Sequence, residues 1–244
     1  MKPAGRFISF IVPAYNENTE LPPTLQSIRH AAERASCPYE IVVVDDASTD
    51  GTPQLARRLG ARVLSIARRQ IAAARNAGAH AARAEILIFI DADTHITPGH
   101  VRGVIQALDD GCPGGGARLA IDRPVPIWGG LLFRLFTALY FALNLGAGAF
   151  LFTTRANFFA VGGFNESYFA GEEVIFSLAL RKIGRFRLLS RPAVTSGRKL
   201  RLYSAAKILR QGWALIAAGP GAVLSREKLV LWYGGAREHS TADL

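Results

Sequence analysis

The first half of the chain alternates between short unbroken apolar runs and stretches with one-turn apolar spacing. Phe7 to Val12 (FISFIV) is β-rich and stopped by Pro13, which predicts a strand. Residues 20–35 place Leu21, Leu25, Ile28 and Ala32 about one turn apart, which predicts a helix. Glu40 to Val44 reads as a buried strand ending in Asp45-Asp46, followed by a short helix from Thr52 to Leu59. A strand at Arg62 to Ile66, an Ala-rich helix at Gln70 to Arg83 and a strand at Glu85 to Ile90 complete the series. Strands apolar on both faces and alternating with helices predict an α/β fold with a mostly parallel central sheet flanked by helices. Ligands in such sheets bind beyond the carboxyl ends of the strands. Three of these ends carry polar clusters, at Pro13 to Glu17, Asp45 to Asp50 and Asp91 to Asp93, so the pattern predicts that they converge on one edge.

The second half reads differently. Gly114-Gly115-Gly116 suggests a flexible turn before a short strand at Ala117 to Ile121. Residues 127–153 are apolar almost throughout and nearly long enough to cross a membrane. Arg134 and Asn144 interrupt the run, and Gly146 and Gly148 weaken it as a helix, so a buried or interfacial segment is expected. Glu172-Glu173 opens a further helix with Ile175, Phe176, Leu178, Ala179 and Ile183 as its apolar positions.

Composition narrows the partners. Half of the 244 residues are hydrophobic, enough for a packed core. The net charge of +10 favours polyanionic partners, such as an anionic membrane surface or a phosphorylated substrate. No zinc-finger, RRM or basic-zipper motif is present, so nucleic acid is not an expected partner. Cys37 and Cys112 form no metal-ligand pattern or disulfide framework. The apolar run near the N-terminus is too short for a signal-peptide core, and a cytoplasmic location is expected.

The polar clusters also suggest chemistry. Asp91 and Asp93 stand at i and i+2 after a buried strand; in extended backbone both would point to one side. Such a pair suits a hard cation, Mg²⁺ or Mn²⁺, or else a solvated turn. Asp45 and Asp46 could accept from a base N–H or ribose hydroxyls, while Thr49 or Asp50 could cap the next helix. Arg75 breaks a small-residue helix surface and, taken alone, is expected to reach solvent. Glu172 and Glu173 suit the positive end of a helix, or a general base tuned by burial.

Together, IVPAYNE (11–17), EIVVVDDASTDGT (40–52), ARNAG (74–78), IFIDADT (88–94) and GGFNESYFAGEEVIFSLALRKIG (162–184) resemble glycosyltransferase family 2. Each motif is weak alone; five in order are specific. The resemblance implies a GT-A fold over residues 1–197, with a donor half to about residue 95, and acceptor-side helical additions from 96 to 197. It implies donor contacts from Pro13, Tyr15, Glu17, Asp45, Asp46, Arg75 and Asp91, with Asp46 reading the base. Asp93 is then the metal ligand, Glu173 the catalytic base and Glu172 the competing choice. Thr195 to Lys199 resembles, more loosely, a basic loop over the diphosphate, and contributes Arg198.

The implied activity is inverting, Mg²⁺- or Mn²⁺-dependent transfer of a sugar from a UDP- or GDP-sugar to an acceptor hydroxyl. A nucleotidyltransferase would instead need a Gly-rich basic N-terminal loop, which Pro13 to Glu17 is not, and a non-catalytic sensor would not need the glutamates. The apolar segment 127–153 and the basic, amphipathic residues 198–244 suggest a lipid or lipid-linked acceptor and peripheral docking on anionic membrane. Packing into the core or into a homodimer interface is the alternative.

Overall fold

The computed structural model describes residues 6–122 and 124–202, with Ser204, Arg210 and Leu224. Among these, the elements run β1 (Ile8–Ala14), α1 (Leu21–Arg34), β2 (Tyr39–Asp46), α2 (Thr52–Arg58), β3 (Arg62–Ile66), α3 (Ile71–Ala81) and β4 (Ile86–Ile90). Then come β5 (Thr94–His95), α4 (Pro98–Asp109), β6 (Gly114–Ile121), α5 (Ile127–Ala142), β7 (Phe150–Thr154) and α6 (Arg155–Ala160). The last are α7 (Glu172–Ile183), β8 (Arg187–Thr195) and α8 (Arg198–Leu202).

One sheet has the order β3-β2-β1-β4-β7-β6-β8-β5. β1, β2, β3 and β4 are mutually parallel where they pair, and so are β6 and β8. β7 runs antiparallel to β4 and β6, and β5 antiparallel to β8. The strand period of two sorts the core into two layers. Ile8, Phe10, Val12, Val43 and Ile88 share one layer with α1 and α4 residues such as Leu25 and Val104. Ile11, Val42, Val44, Leu87 and Phe89 face the other, against α3, α6 and α7.

The parallel half follows the expected elements within a few residues. The second half departs from the expected elements. Gly114-Gly115-Gly116 is not a flexible turn but the buried start of β6. A Cβ on Gly115 would strike the Arg187 carbonyl and the Phe152 ring, so the glycines let three strands close together. The apolar stretch 127–153 is not one element either: α5 ends at Ala142, and the rest turns into the core strand β7. At 16 residues α5 is too short to span a bilayer, and no described helix is long and apolar enough to do so. Finally, residues 98–109, unassigned from the sequence, form α4, with Pro98 in the first turn and the Thr97 N–H donating to His100 Nδ1 at 3.0 Å. Apart from Ser204, Arg210 and Leu224, the basic amphipathic stretch expected beyond Leu202 lies outside the described residues.

Candidate functional site

The loops after β1 and β2 clasp each other at the carboxyl edge of the sheet. The Asn16 N–H donates to Ser48 Oγ at 2.9 Å, the Glu17 N–H to Thr52 Oγ1 at 2.9 Å, and the Asn18 N–H to Asp50 Oδ2 at 3.1 Å. Asp50 also receives the Thr52 N–H at 3.0 Å, so it orders the entry to α2 as expected of that turn. Asn16 and Ala47 hold positive φ here, at 52° and 62°, a conformation the cross-bonded loops must hold against its cost.

Asp45 and Asp46 end β2 in different circumstances. Asp46 accepts three backbone N–H groups, from Arg68, Arg69 and Gln70, each at 2.7 Å. Its carboxylate thereby fixes the turn before α3, where Arg69 has φ 51°. Asp45 is equally buried, but its Oδ1 has no hydrogen-bond partner. A buried acceptor left in this way is costly, and a ligand donor would relieve it. The Arg69 guanidinium lies 3.2 Å above the Tyr15 ring centroid, a cation–π contact on the same edge. Pro13 is buried within β1.

Arg75 corrects the solvent reading outright. It is 1% exposed, among the largest fully buried side chains described. Its Nη1 donates to Glu172 Oε1 at 2.6 Å, and its Nη2 to Asp91 Oδ1 and the Gly148 carbonyl, both at 2.9 Å. Burial alone would lower its pKa, but Asp91, Glu172 and Glu173 more than offset this and raise it. The rest of the ARNAG motif packs around that ion pair. The Asn76 amide exchanges two hydrogen bonds with the Phe164 backbone, at 2.8 and 2.9 Å, and Gly78 lets α3 approach β1 where a Cβ would strike Ile11. Gly148, expected only to weaken a helix, makes room for the guanidinium: a Cβ there would lie 2.6 Å from Nη2.

Asp91-Ala92-Asp93 is a turn, with the Thr94 N–H donating to the Asp91 carbonyl at 3.0 Å. The extended arrangement expected from the i, i+2 spacing is therefore absent, and two different arginines engage the two carboxylates. β5 follows at once and pairs with the end of β8, Thr94 opposite Thr195. This pairing carries the start of α8 to Asp93. Arg198 then makes a two-pronged ion pair with Glu17, both distances 3.0 Å, with Nη2 3.5 Å from Asp93 Oδ2. Burial lowers the Arg198 pKa, yet its bonds to Glu17 and the charges of Glu17 and Asp93 raise it overall.

Glu172 and Glu173 sit in the first turn of α7, after Gly171 at φ 79°. An aromatic cluster anchors that turn: Phe176 stacks on Phe164 at 4.3 Å between centroids, and both lie edge-on to Phe89 of β4. Glu172 belongs to Arg75. Glu173 is pushed up to about 8 by burial first and then by the charge of Glu172, with Arg75 opposing. The sequence reading missed Tyr140 of α5. Its hydroxyl donates to the Gly146 carbonyl at 3.0 Å, and burial, then Glu173 and Glu172, raise its pKa. A tyrosine within an apolar helix gave no signal of this. An open cleft lined by Arg29, Tyr39, Glu40, Arg58 and Arg83 lies at the opposite end of β2 and holds none of these residues.

Residues 9–162 match the family model described as glycosyl transferase family 2, well over half of the chain. The chain belongs to glycosyltransferase family 2. Among its family relatives, succinoglycan biosynthesis protein ExoO of Rhizobium meliloti is 30% identical over 203 residues, covering 78% of this chain and 56% of that protein. An undecaprenyl-phosphate 4-deoxy-4-formamido-L-arabinose transferase of Edwardsiella ictaluri is 30% identical over 118 residues, 43% of this chain and 35% of its own length. The chain thus spans from about a third to just over half of these relatives. In fold it is similar to a mannosyltransferase from Pyrobaculum calidifontis in complex with GDP-Man and Mn²⁺, with TM-score 0.64 and 20% identity, covering 91% of this chain and 64% of that one. It is also similar to S. aureus TarS in complex with UDP-GlcNAc, with TM-score 0.61 and 20% identity, covering 95% and 74%. The glycosyltransferase family 2 chain therefore has the expected GT-A architecture.

Proposed function

We propose that this chain is a metal-dependent, inverting glycosyltransferase that moves a sugar from a UDP- or GDP-sugar to an acceptor hydroxyl. The observation that carries the reading is one shared edge. Glu17, Asp45, Asp91, Asp93 and Arg198 line the carboxyl ends of the strands, and Glu173 stands on the neighbouring helix with its affinity for protons raised. GDP-Man and UDP-GlcNAc, in the two similar folds, support a nucleoside-diphosphate sugar as the donor class.

Among the described residues no three His, Cys, Asp or Glu side chains are grouped to hold a metal. The donor set nonetheless fits Mg²⁺ or Mn²⁺, which bind through one or two carboxylates and take remaining ligands from water and substrate phosphate. Asp93, partly open, accepting from Thr195 Oγ1 at 3.4 Å and lying 3.5 Å from Arg198, is the residue that would hold it. Such an ion supplies charge neutralisation at the diphosphate and so a better leaving group.

The chain's own residues divide the remaining work. Asp45, with its unpartnered oxygen, takes over the reading of the base or ribose assigned from the resemblance to Asp46; Asp46 holds the β3–α3 turn. Tyr15 and Arg69 stand on the same edge. Asp91 is turned toward the donor by Arg75, which serves as a positioning residue joining it to Glu172. Arg198 would exchange its contact with Glu17 for the donor diphosphate, closing the C-terminal side. Glu173 removes the acceptor proton as the acceptor oxygen attacks the anomeric carbon and the nucleoside diphosphate departs, which inverts the anomeric centre. A lipid-linked acceptor is supported by the undecaprenyl-phosphate transferases among the relatives.

Thermal shifts with UDP, GDP and their sugars, each with Mn²⁺, Mg²⁺ or chelator, test this. A UDP or GDP species should protect the chain only with metal, and Asp93→Ala should remove that metal dependence. Absence of metal-dependent protection by any of them would sink the proposal.

A further inference from the structure

The 16-residue α5 is apolar on the side it shows to solvent. Ile127, Leu131, Leu135, Leu139 and Leu143, the last at its C-terminal cap, follow one another at one-turn spacing and are 93, 69, 58, 63 and 63% exposed. Of the described residues in α5, only Gly129 is buried, where it packs near Leu200 of α8. A continuous aliphatic row on a folded surface calls for a cover.

Charge points to the occupant. Arg181 donates from Nη1 to the Leu143 carbonyl at 3.0 Å, which places the exposed Arg181 at the end of the row, with the exposed Lys182 and Arg185 following it in the chain. Arg134 is exposed on α5 itself, and Leu178 and Ile183 are exposed on α7. A second copy laid antiparallel on the row would cover the leucines but leave these cations at either end without an anionic partner, on a chain that already carries +10. An anionic lipid surface satisfies both features, accepting the aliphatic row below its headgroups and pairing with the cations at their level.

We propose that α5 lies in the plane of an anionic bilayer as the membrane-docking element of this chain, and so brings a lipid-borne acceptor to Glu173. The link to the base is short. Tyr140 donates to the Gly146 carbonyl, the Gly146 N–H to Ser177 Oγ at 3.1 Å, and Ser177 Oγ to the Glu173 carbonyl at 2.7 Å. Only the acceptor clause rests on the transferase reading; docking stands without it.

The test is flotation of the full chain with phosphatidylcholine vesicles, with and without phosphatidylglycerol. The chain should float with the anionic vesicles, and less so as salt rises. Leu131→Ser, Leu135→Ser and Leu139→Ser together should weaken binding on the order of a hundredfold. Arg181→Ala, Lys182→Ala and Arg185→Ala together should cost about a hundredfold on anionic vesicles and weaken the preference for anionic lipid. Nucleotide protection should be the same in the triple-serine variant as in the parent. Vesicle binding that is absent, or unchanged by the serines, overturns docking while leaving the nucleotide result to judge the transferase reading separately. A dimer that the serines dissociate in sedimentation velocity overturns it in favour of a second copy. A melting temperature lowered by the serines without vesicles overturns it in favour of the chain's own C-terminal stretch.

Discussion

Two arginines organise the site, and they do so in opposite ways. Arg75 is buried between α3 and the first turn of α7, and its partners, Asp91, Glu172 and the Gly148 carbonyl, all belong to the folded body. Arg198 sits at the start of the short α8, reaches back to Glu17 and only grazes Asp93. Each joins the early part of the chain to the late part. The difference is what a ligand could replace. Glu172, its tightest partner, is only 4% exposed, so nothing entering from solvent replaces Arg75 there. In the proposed reaction a diphosphate would replace Glu17 as the partner of Arg198. On that reading similar ion pairs act as a fixed strut in one place and as an exchangeable contact in the other.

The strut is tested by Arg75→Met, which strands Glu172 as a buried charge beside Asp91. It should lower stability by about 3–5 kcal/mol in urea unfolding, with activity lost. Adding Glu172→Gln should recover part of that stability, and a failure to do so would show that Arg75 acts through packing instead. Glu173→Gln leaves the strut intact. It should reduce kcat by roughly a thousandfold while metal-dependent nucleotide protection persists. Full activity in this variant would hand the base role to Glu172.

Arg198→Ala should separate the two arginines most directly. We expect a smaller loss of stability than for Arg75→Met, because the carboxylate left behind, Glu17, is 11% exposed against 4% for Glu172, and a donor KM raised roughly tenfold. A stability loss as large as that of Arg75→Met would erase the distinction.

The smallest effect concerns pH. The Glu173 carboxyl in the folded state holds its proton up to about 8, whereas in the unfolded chain it releases it in the ordinary carboxylate range. Between those limits the native state binds more protons than the unfolded one, so stability falls as pH rises. The melting temperature of Glu173→Gln relative to the parent should therefore climb over that window and level off above about 8. The kcat/KM profile of the parent should rise across the same range, a limb belonging to the Glu172–Glu173 pair.

The sequence was most legible where local chemistry decides structure. The unbroken apolar runs Phe7–Val12, Glu40–Val44 and Glu85–Ile90 are strands because nothing but a sheet covered on both faces can bury them. The polar residues that stop them had to gather at one edge once those strands were parallel. Asp50-Gly51 entered α2 as a turn signal would have it. Residue types and order were also enough to name the GT-A family.

The tertiary structure decided everything that depends on close approach or distant pairing. No local rule distinguishes glycines that loosen a turn from glycines that let strands meet, yet Gly115 and Gly148 do the latter because Phe152, Arg187 and Arg75 arrive from elsewhere in the chain. Arg75 looked solvated because its partners lie 16 and 97 residues away. Asp45 and Asp46 could be told apart only by who donates to them, and that was set by the turn after β3. Residues 127–153 carried one hydropathy signal but two fates, since burial in β7 and exposure on α5 depend on what packs alongside. Sequence gave the inventory of charges and their order; the fold determined which would be paired, and therefore which remain available to a substrate.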